Sequence, residues 1–493
     1  MKLIGWIDFL PKKDAPVKEH LLARDVALYT DLYQLTMAQG YFLEGKGEQI
    51  ACFDYFFRKN AFGGGYVVFA GLQELLQLLE NFRFHDDALH YLETQGFDPT
   101  FLKHLGELKL TLEIKAPREG EVVFPYLPSM RVRGPLLQAQ LIETMLLNTI
   151  NFSSLVATRA SRMRNVAGDR KLIDFGLRRA QGLGGLAASR AAIIGGFDAT
   201  SNVLAGQIND IEIAGTQAHS WIQSFPDELT AFRAYARNFP DRCILLVDTY
   251  DTLKSGIPNA ITVARELREK GHELVGVRLD SGDLAYLAKR SREQFDEAGF
   301  PDVKIAASNQ LDEHVIKSLV QDQNAPIDVF GVGTQLVTAY DDPALGGVYK
   351  LSEIDGEPRL KISESYEKVN FPGAKKVVRL IGDDGKFYGD AVALEDEDHV
   401  EHMYHPYDPF KDTPVDTFQQ VPIQQTVMRD GEVVAELHSV HEAREYARKR
   451  LACLPIEHLR FENPHIYKVG LSRRLHELRR KTLEKARKVH HTD

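Results

Sequence analysis

The sequence predicts an α/β protein built around an irregular parallel α/β barrel of about seven strands. Short apolar runs recur through residues 146–350, stretches with a helical pattern separate them, and polar or glycine-rich residues end each run. Continuous apolar runs of this kind are typical of parallel strands that are buried on both faces. Strands that alternate with helices join one sheet through right-handed crossovers, and seven such units favour a barrel over an open sheet.

The chain has 493 residues, more than one hydrophobic core usually supports, so we expect two or three domains. The sequence pattern divides into an N-terminal α/β domain over residues 1–145 and a catalytic barrel domain over residues 146–350. The more polar C-terminal region, residues 351–493, is expected to complete the N-terminal domain in part.

Charge and cysteine usage exclude several classes of function. The net charge of −10 argues against a general nucleic-acid binder, so an anionic ligand must be held by local donors. The three cysteines, Cys52, Cys243 and Cys453, form no CxxC pair, which disfavours a disulfide framework and a thiolate zinc site. Because neither a signal peptide nor a membrane span is predicted, we expect a cytoplasmic protein that does not bind membranes.

In the N-terminal domain, Thr30 is predicted to cap a helix through DLYQLTMAQGYF. The run ACFDYFFRKN alternates like a strand, and LLQAQLIETMLLNTINFSSLVATRASRMRN predicts a long helix leading into the barrel. In the C-terminal region, PRLKISESYEKVNFPGAKKVVRL could supply extended segments that pack on the N-terminal domain. The tail SRRLHELRRKTLEKARK predicts a basic helix, with either a solvated face or an anion-binding one.

Seven apolar runs are the predicted barrel strands. They are KLIDFG (171–176), AAIIGG (191–196), IEIAGT (211–216), CILLVDT (243–249), LVGVRLD (274–280), VKIAAS (303–308) and IDVFGVGT (327–334). The spacers between them include helical patterns such as ITVARELREKG and DEHVIKSLVQ. Because the chemistry of a barrel lies at the carboxyl ends of its strands, the residues that end these runs form the candidate site.

The last two strand ends predict a phosphate site. Small residues stand just before a predicted helix in SNQLDE, with Ser308 and Asn309, and in GVGTQL, with Gly333 and Thr334. Backbone N–H groups at a helix start bind phosphate well, and the last two loops of a barrel often do so. The alternative is that Ser308 and Thr334 only cap the following helices.

Two other strand ends carry charged or aromatic side chains. RLDSGD offers Arg278 and Asp280. The carboxylate of Asp280 could hold sugar hydroxyls, bind Mg²⁺ through water or stabilise a cationic carbon. Alternatively, Asp280 could cap the next helix. DFGLRR places Phe175 before Arg178 and Arg179. A ring could stack on Phe175 and an arginine fork could grip a carboxylate or phosphate, unless Phe175 belongs to the core.

His219, in GTQAHS, is the only histidine at a predicted barrel mouth. A lone histidine is more often structural or surface-exposed, but its place after a strand beside Thr216 and Ser220 favours an active-site role. Other signals are weak. The sequence has no G-x-x-x-x-G-K-[ST], so any ATP is not bound by a P-loop. GLGGLA loosely resembles a dinucleotide-binding fingerprint, but it does not follow a strand. HMYHPY could pair two histidines on a metal ion, but it has no carboxylate partner, so no metal ligands are assigned.

In these motifs the chain resembles nicotinate phosphoribosyltransferase, the type II phosphoribosyltransferase family of NAD salvage. The matching stretches are TDLYQLTMAQGY, DFGLRRAQG, GGFDATSNV, GTQAHSW, VDTYDT, GVRLDSGDL, SNQLDE and GVGTQLV with LGGVYKL. They occur in the family's order and span about residues 29–351. The resemblance is less clear after about residue 400.

The resemblance implies transfer of a phosphoribosyl group from phosphoribosyl pyrophosphate to nicotinate, which gives nicotinate mononucleotide and pyrophosphate. It implies that ATP is a co-substrate, coupled through a phosphohistidine at His219, and that Mg²⁺ is the cofactor. It further implies a homodimer with shared active sites, in which Tyr33 reaches the site of the neighbouring subunit.

Together, the strand ends and the resemblance give the candidate site. Its residues are His219 and Asp280 for catalysis; Tyr33, Phe175, Arg178, Thr216 and Arg278 for nicotinate; and Ser308, Asn309, Gly333 and Thr334 for phosphate and ribose. The resemblance implies that Asp280 lies on the ribose side and that Thr334, with Gly333, binds the 5′-phosphate.

Two alternatives stay open. Transfer to nicotinamide would share the fold and the motif positions, and Asp198 in GGFDATSN would suit an amide if it lay near the base. Asp198 could instead cap a helix, and DFGLRRAQG and GTQAHSW favour nicotinate. The other alternative is a non-catalytic phosphosugar-binding protein, against which the unbroken set of polar strand ends argues.

Overall fold

The structure is a computed structural model, and it describes residues 26–361, 370–408 and 410–490. These ranges fold as mixed α/β structure around two large hydrophobic cores and a smaller one. No helix in the described ranges is long and apolar enough to cross a membrane.

The first stretch of the chain combines helices with short strands. In order, its elements are α1 (Leu32–Leu43), β1 (Ile50–Phe57), β2 (Val67–Val68), α2 (Leu72–Glu80), α3 (Asp86–Thr94), α4 (Pro99–Glu107), β3 (Glu113–Ala116), β4 (Val122–Val123), β5 (Met130–Pro135), α5 (Leu136–Leu141) and α6 (Glu143–Ala167). The predicted helix over DLYQLTMAQGYF and the strand in ACFDYFFRKN are present, and the long predicted helix is divided at Ile142.

The predicted capping role of Thr30 is wrong. Asp31 occupies the N-cap position of α1, with extended backbone and no capping bond from its side chain. The carboxylate of Asp31 instead accepts a hydrogen bond from Thr144 Oγ1 at 2.8 Å. Thr30 lies one residue earlier, where its backbone N–H donates to Leu28 O at 2.8 Å and closes the preceding turn.

The middle of the chain alternates strands with helices. In order, its elements are β6 (Lys171–Asp174), α7 (Gly184–Ile194), β7 (Ala199–Thr200), α8 (Val203–Asn209), α9 (His219–Gln223), α10 (Glu228–Asn238), β8 (Ile244–Leu246), α11 (Ile257–Glu269), β9 (Gly276–Leu279), α12 (Leu284–Glu297), β10 (Lys304–Ser308), α13 (Glu313–Lys317), β11 (Val329–Val332) and α14 (Thr334–Val337). The strands form one sheet in the order β7-β6-β11-β10-β9-β8, and every pair is parallel. The predicted parallel α/β sheet is therefore confirmed.

Two of the seven predicted strands differ from the structure. The run 191–196 is not a strand but the end of helix α7, and the strand that follows is β7. Periodicity could not decide this, because an all-apolar run buried on every side fits a helix or a strand equally. Gly195 shows how closely this helix packs, since a Cβ there would lie 2.3 Å from Ala157 O on α6.

The other run, 211–216, forms no strand. Its one backbone bridge joins Ile213 to Thr200 of β7. On the opposite side the buried amide of Gln217, oriented by its hydrogen bonds, donates to Ile244 O at 2.7 Å and accepts from Leu246 N at 3.2 Å. The segment thus lies between the two edge strands, but no continuous ladder of described residues closes the sheet there, and the predicted barrel is not confirmed.

The C-terminal stretch contributes to two sheets. Its elements are β12 (Gly347–Ile354), β13 (Glu357–Pro358), β14 (Lys375–Ile381), β15 (Phe387–Leu394), β16 (His402–Tyr404), β17 (Asp412–Pro414), β18 (Gln419–Pro422), β19 (Gln425–Arg429), β20 (Glu432–Val433), α15 (Val440–Ala452), β21 (Val469–Ser472) and α16 (Arg473–His490). Strands β12, β13, β19 and β20 join a seven-stranded sheet with β1, β3 and β5 of the N-terminal stretch. The other C-terminal strands form a six-stranded sheet of their own.

Strand β14, from the segment PRLKISESYEKVNFPGAKKVVRL, belongs to the separate C-terminal sheet. It also contacts the N-terminal stretch, as expected, because Lys375 pairs with Asp54 of β1 at 2.8 Å. Residues 362–369 of that segment lie outside the described residues. The basic tail is helical, as predicted.

A buried ion network joins the N-terminal and C-terminal stretches. Glu121, which precedes β4, accepts from Arg379 on β14 and from Arg450 and Tyr446 on α15. The Glu121 side chain is only 2% exposed and that of Arg379 is fully buried. Burial alone would raise the pKa of Glu121, but the two guanidinium groups hold that pKa below its ordinary value.

Replacing Glu121 by alanine should destabilise the protein by about 3 kcal/mol, because it leaves Arg450 without its carboxylate and the buried Arg379 with Asp390 alone. The free energy of unfolding in urea measures this effect. Glu445→Ala on α15 is the matched control, since Glu445 is half exposed and pairs with Arg448 at the surface. The control should change the free energy by about 1 kcal/mol or less. Equal losses in both variants would contradict the proposed role of the network.

Candidate active site

A cavity of about 560 Å³ lies at the carboxyl ends of β6, β9, β10 and β11. Its lining residues are Phe175, Leu177, Arg178, Arg179, Ser201, Gly215, Thr216, Arg278, Asp280, Ser308, Asn309, Gln310, Gly331, Gly333 and Thr334. All the predicted site residues except Tyr33 and His219 are among them. A larger cavity, of about 1200 Å³, lies between residues 58–65 and the C-terminal sheet, away from these strand ends.

Phe175 forms part of the cavity wall directly after β6. Its backbone N–H donates to Val332 O at 2.7 Å, which ties it to the neighbouring strand β11. The ring lies so close to Gly331 that a Cβ there would be 2.3 Å from a ring carbon. Only glycine at position 331 leaves room for the ring in this place, so the sequence of β11 fixes where an aromatic surface lines the cavity.

Arg278 supplies a cationic group from β9. Its Nη1 donates to Thr216 Oγ1 at 2.6 Å, while its buried Nε has no hydrogen-bond partner in the described part of the chain. Burial lowers the pKa of Arg278, although Asp280 and Asp248 oppose the effect, and a guanidinium stays protonated at neutral pH. With Arg178 and Arg179 at the rim, the cavity can take an anionic ligand even though the chain is acidic overall.

Asp280 is held by three neighbours at the end of β9. Its carboxylate accepts from Ser308 Oγ, and its backbone N–H donates to Asp248 Oδ2 at 2.8 Å. Its Oδ2 lies 3.7 Å from His219 Nε2. The alternative that Asp280 caps the next helix is wrong, because Asp283 is the N-cap of α12.

His219 begins helix α9 at the edge of this group and is not one of the cavity-lining residues. Its Nδ1 lies 3.1 Å from Thr249 Oγ1, and its side chain is 39% exposed. The two ring nitrogens thus face a hydroxyl and a carboxylate, and the imidazole remains open to solvent. Such a histidine can accept or pass on a proton or a phosphoryl group.

The two predicted phosphate loops line the same cavity. Asn309 and Gln310, after β10, have φ angles of 84° and 50°, a conformation that non-glycine residues rarely adopt. Gly333 is the N-cap of the short helix α14, and Thr334 is its first residue. Asp312, not Ser308, caps α13, so the Ser308 hydroxyl serves Asp280 instead.

Tyr33 lies outside the cavity, on helix α1. Its side chain is 47% exposed, and Tyr29, Leu32 and Met37 beside it are also exposed. The structure therefore does not bring Tyr33 to the other predicted site residues within one copy of the chain.

Sequence reasoning gave Asp248, Thr249 and Ser201 no role. Asp248 fixes the Asp280 backbone and Thr249 contacts His219, while Ser201 lines the cavity. All three stand in motifs already noted, VDTYDT and GGFDATSN, but the pattern could not say which side chain faces the site.

Asp198, in contrast, does not line the cavity. Its carboxylate pairs with Arg164 and with Arg444 and accepts from Leu172 N at 2.8 Å. It caps no helix. It joins β6, through the backbone of Leu172, to Arg164 on α6 and Arg444 on α15. Among the described residues, no group of three or more His, Cys, Asp or Glu side chains is arranged to hold a metal ion.

Comparison with known proteins identifies the family. Residues 28–151 match the nicotinate phosphoribosyltransferase N-terminal domain, residues 170–408 the nicotinate phosphoribosyltransferase family and residues 374–479 the nicotinate phosphoribosyltransferase C-terminal domain. The nicotinate phosphoribosyltransferase of Bacillus subtilis is 44% identical over 458 residues, which cover 91% of this chain and 93% of that protein. The chain belongs to the nicotinate phosphoribosyltransferase family.

Solved structures agree with this assignment. The crystal structure of human nicotinic acid phosphoribosyltransferase matches with a TM-score of 0.82 at 35% identity, covering 92% of this chain and 99% of that one. A nicotinate-nucleotide pyrophosphorylase from Pyrococcus furiosus matches with a TM-score of 0.69 at 23% identity, over 90% and 98% of the two chains, and shows the fold alone. The C-terminal match means that the family resemblance extends beyond residue 400, where the sequence motifs were less clear.

Gly331→Ala should displace the Phe175 ring, because the new methyl group would lie 2.3 Å from it. We expect a loss of about 1–3 kcal/mol in stability and weaker binding of nicotinate. Thermal unfolding and calorimetric titration measure the two effects. Gly215→Ala is the matched control for stability, since Gly215 lines the same cavity but has no atom within 4 Å of the added Cβ. An equal loss of stability in the control would show that the clash with Phe175 is not the cause.

Proposed function

We propose that the protein transfers a phosphoribosyl group from phosphoribosyl pyrophosphate to nicotinate, giving nicotinate mononucleotide and pyrophosphate for NAD salvage. The observation that carries the proposal is one cavity in which an aromatic wall, a buried guanidinium and two loops of phosphate-binding type meet. Family membership supports it, since the relatives over nine-tenths of this chain are named nicotinate phosphoribosyltransferases.

The base would bind at the end of the cavity formed by Phe175, Thr216 and Arg278. A pyridine ring suits stacking on Phe175, and its carboxylate suits the guanidinium of Arg278, with Arg178 nearby. Ser201, which is neutral, is also in the lining, whereas Asp198 is engaged by two arginines elsewhere. Asp280 is the carboxylate of the lining and is assigned here to the ribose, so the arginines Arg178, Arg179 and Arg278 favour nicotinate, an anion, over nicotinamide.

The phosphoribosyl group would occupy the other end. Gly333 and Thr334 offer backbone and hydroxyl donors to the 5′-phosphate, and Ser308 and Asn309 border the ribose. As the bond from the anomeric carbon to pyrophosphate breaks and the bond to the base nitrogen forms, positive charge develops on the sugar. The carboxylate of Asp280 would stabilise this charge.

Mg²⁺ is proposed as the cofactor. Since the described residues include no cluster of three metal-binding side chains, the ion would be held mainly by substrate phosphates, with Asp280 able to contact it through water. It would neutralise charge on the leaving pyrophosphate.

We further propose that ATP drives the reaction through His219. The γ-phosphoryl group would pass to a ring nitrogen, so that the bond to ADP breaks as a phosphorus–nitrogen bond forms. The exposed imidazole, with Thr249 and Asp280 on its two nitrogens, supports this role because it is accessible and oriented. We therefore propose an ATP-dependent enzyme that transfers a glycosyl group, as a glycosyltransferase does, and couples the transfer to ATP hydrolysis, as a ligase does.

A homodimer with shared active sites is proposed for the assembly. The exposed side chains of Leu32, Tyr33 and Met37 on α1, with Tyr29 just before the helix, support it, because large apolar groups are usually covered by a partner. In such a dimer Tyr33 of one copy would complete the site of the other. Free thiols at Cys52, Cys243 and Cys453 support a reducing location, for which we propose the cytoplasm.

The direct test measures mononucleotide formation from phosphoribosyl pyrophosphate with nicotinate or nicotinamide, with and without ATP and Mg²⁺. We expect turnover with nicotinate, stimulated by ATP. Preference for nicotinamide would overturn the substrate assignment, and tight binding of phosphoribosyl pyrophosphate without any turnover would identify a non-catalytic binding protein.

Arg278→Ala should raise the KM for nicotinate at least about tenfold, because hydrogen bonds to charged groups are worth about 1.5–3 kcal/mol. The KM for ATP should change far less. Steady-state kinetics on both substrates measures the difference. Arg233→Ala, which removes an exposed arginine paired with Glu266, serves as control and should alter neither constant. Equal effects on nicotinate and ATP in the Arg278 variant would contradict its assignment to the base.

His219→Asn should abolish ATP hydrolysis and histidine phosphorylation but retain a slow, ATP-independent transfer, because the cavity itself is unchanged. Mass spectrometry of the phosphorylated peptide and a coupled ATPase assay measure this. His272→Asn is the control, since His272 also lies beside a carboxylate, that of Asp241, and has comparable exposure. Persistent ATP coupling in the His219 variant would remove this residue from the phosphoryl role.

A further inference from the structure

Two buried arginines on helix α6 lie outside the lining of the candidate site. The side chains of Arg159 and Arg162 are 1% and 4% exposed, and neither belongs to the cavity lining. Both contact Glu313, whose side chain is fully buried. Arg159 Nη1 and Arg162 Nε donate to the same oxygen of Glu313, Oε1, at 3.0 Å and 2.7 Å. Burying three charges together is costly, so their arrangement calls for a physical explanation.

Glu313 is the first residue of α13, and the loop that leads into this helix is the first phosphate loop. That loop carries two consecutive residues with positive φ, Asn309 and Gln310. Such backbone persists only where the surrounding structure holds it. The ion pair with α6 fixes the end of the loop that follows these two residues.

Arg159 also contacts the segment that follows the second phosphate loop and its helix α14. Its Nη2 donates to Asp341 Oδ2 at 3.0 Å, and Asp341 follows α14 after Ala339, which has a φ of 46°. The neighbouring Asp342 accepts from the backbone N–H of Phe62 at 2.9 Å. The Phe62 ring in turn lies against the Arg159 guanidinium, with 4.7 Å from the ring centroid to Cζ. One guanidinium therefore joins segments that follow both loops.

We propose that Arg159 and Arg162 are positioning residues for the phosphoribosyl end of the site, acting through Glu313 and Asp341. This inference rests on the proposed function, because it takes the two loops as the place where substrate phosphates bind. The arginines do not touch substrate. They fix the separation of the two loops, so that donors on both can reach one ligand, and a misplacement of about 1 Å is enough to weaken such a site severely.

The test compares KM values for the two substrates. Arg159→Met should raise the KM for phosphoribosyl pyrophosphate about tenfold or more, while the KM for nicotinate changes less than about twofold. Arg159→Lys should recover part of the loss, since it restores a charge but not the fork. Asp341→Asn, which weakens only the contact to the segment after α14, should give a smaller shift of the same kind.

Arg190→Met is the matched control. Arg190 is a buried arginine held by the carboxylate of Glu119 and by Gln73, away from the two loops. We expect it to lower the melting temperature without changing the ratio of the two KM values. If Arg159→Met behaves as Arg190→Met does, the arginine is only structural and the inference is wrong.

Failure of this inference is distinguishable from failure of the proposed function. If the wild-type protein does not turn over nicotinate, the proposed function fails. The inference is then tested separately, by calorimetric titration of the wild type and of Arg159→Met with phosphoribosyl pyrophosphate. Equal affinity of the wild type and Arg159→Met would overturn it. Should Arg159→Met not fold, Asp341→Asn gives the decisive measurement, because the Asp341 side chain is 56% exposed and its change perturbs no core. An unchanged KM ratio in Asp341→Asn would then overturn the inference.

Discussion

The candidate site depends on the parallel register of β6, β11, β10 and β9. Ser308 pairs with Gly331 across β10 and β11, and Val332 pairs with Asp174 across β11 and β6. Because each strand ends at the same edge, side chains from segments far apart in sequence meet in one cavity. No single loop contains the site. Its geometry comes from the ladder, and the loops add the chemical groups.

The parallel register explains why so many of the cavity-lining residues could be predicted from the sequence. Polar residues after buried apolar runs mark the strand ends, and the sheet then brings them together without further assumption. Phe175, Arg278 and Ser308 were found in this way, and all three line the cavity. The same reasoning failed for residues 191–196, where an apolar run is buried in a helix. Burial gives both structures the same composition, so local pattern alone could not separate them.

Long-range contacts were the part that no local pattern could predict. Thr249 orients His219 and Asp248 orients Asp280, yet each pair is separated by about 30 residues of sequence. Arg159 lies in a helix that looked like an ordinary connection to the sheet. The positioning role proposed for it depends on Glu313, more than 150 residues away. Sequence reasoning located the residues that line the cavity better than those that hold them in place.

The distribution of charge bears on which ligand the cavity can select. The chain is acidic overall, and yet the proposed substrates are anionic, so long-range attraction cannot recruit them. Selectivity must come from how acidic groups are placed near the cavity. Asp198 is neutralised by Arg164 and Arg444 outside it, while Asp280 remains inside, where a developing positive charge would need it. The cavity thus combines the carboxylate of Asp280 with the cations Arg178, Arg179 and Arg278, and this surplus of positive charge suits a carboxylate-bearing base better than an amide.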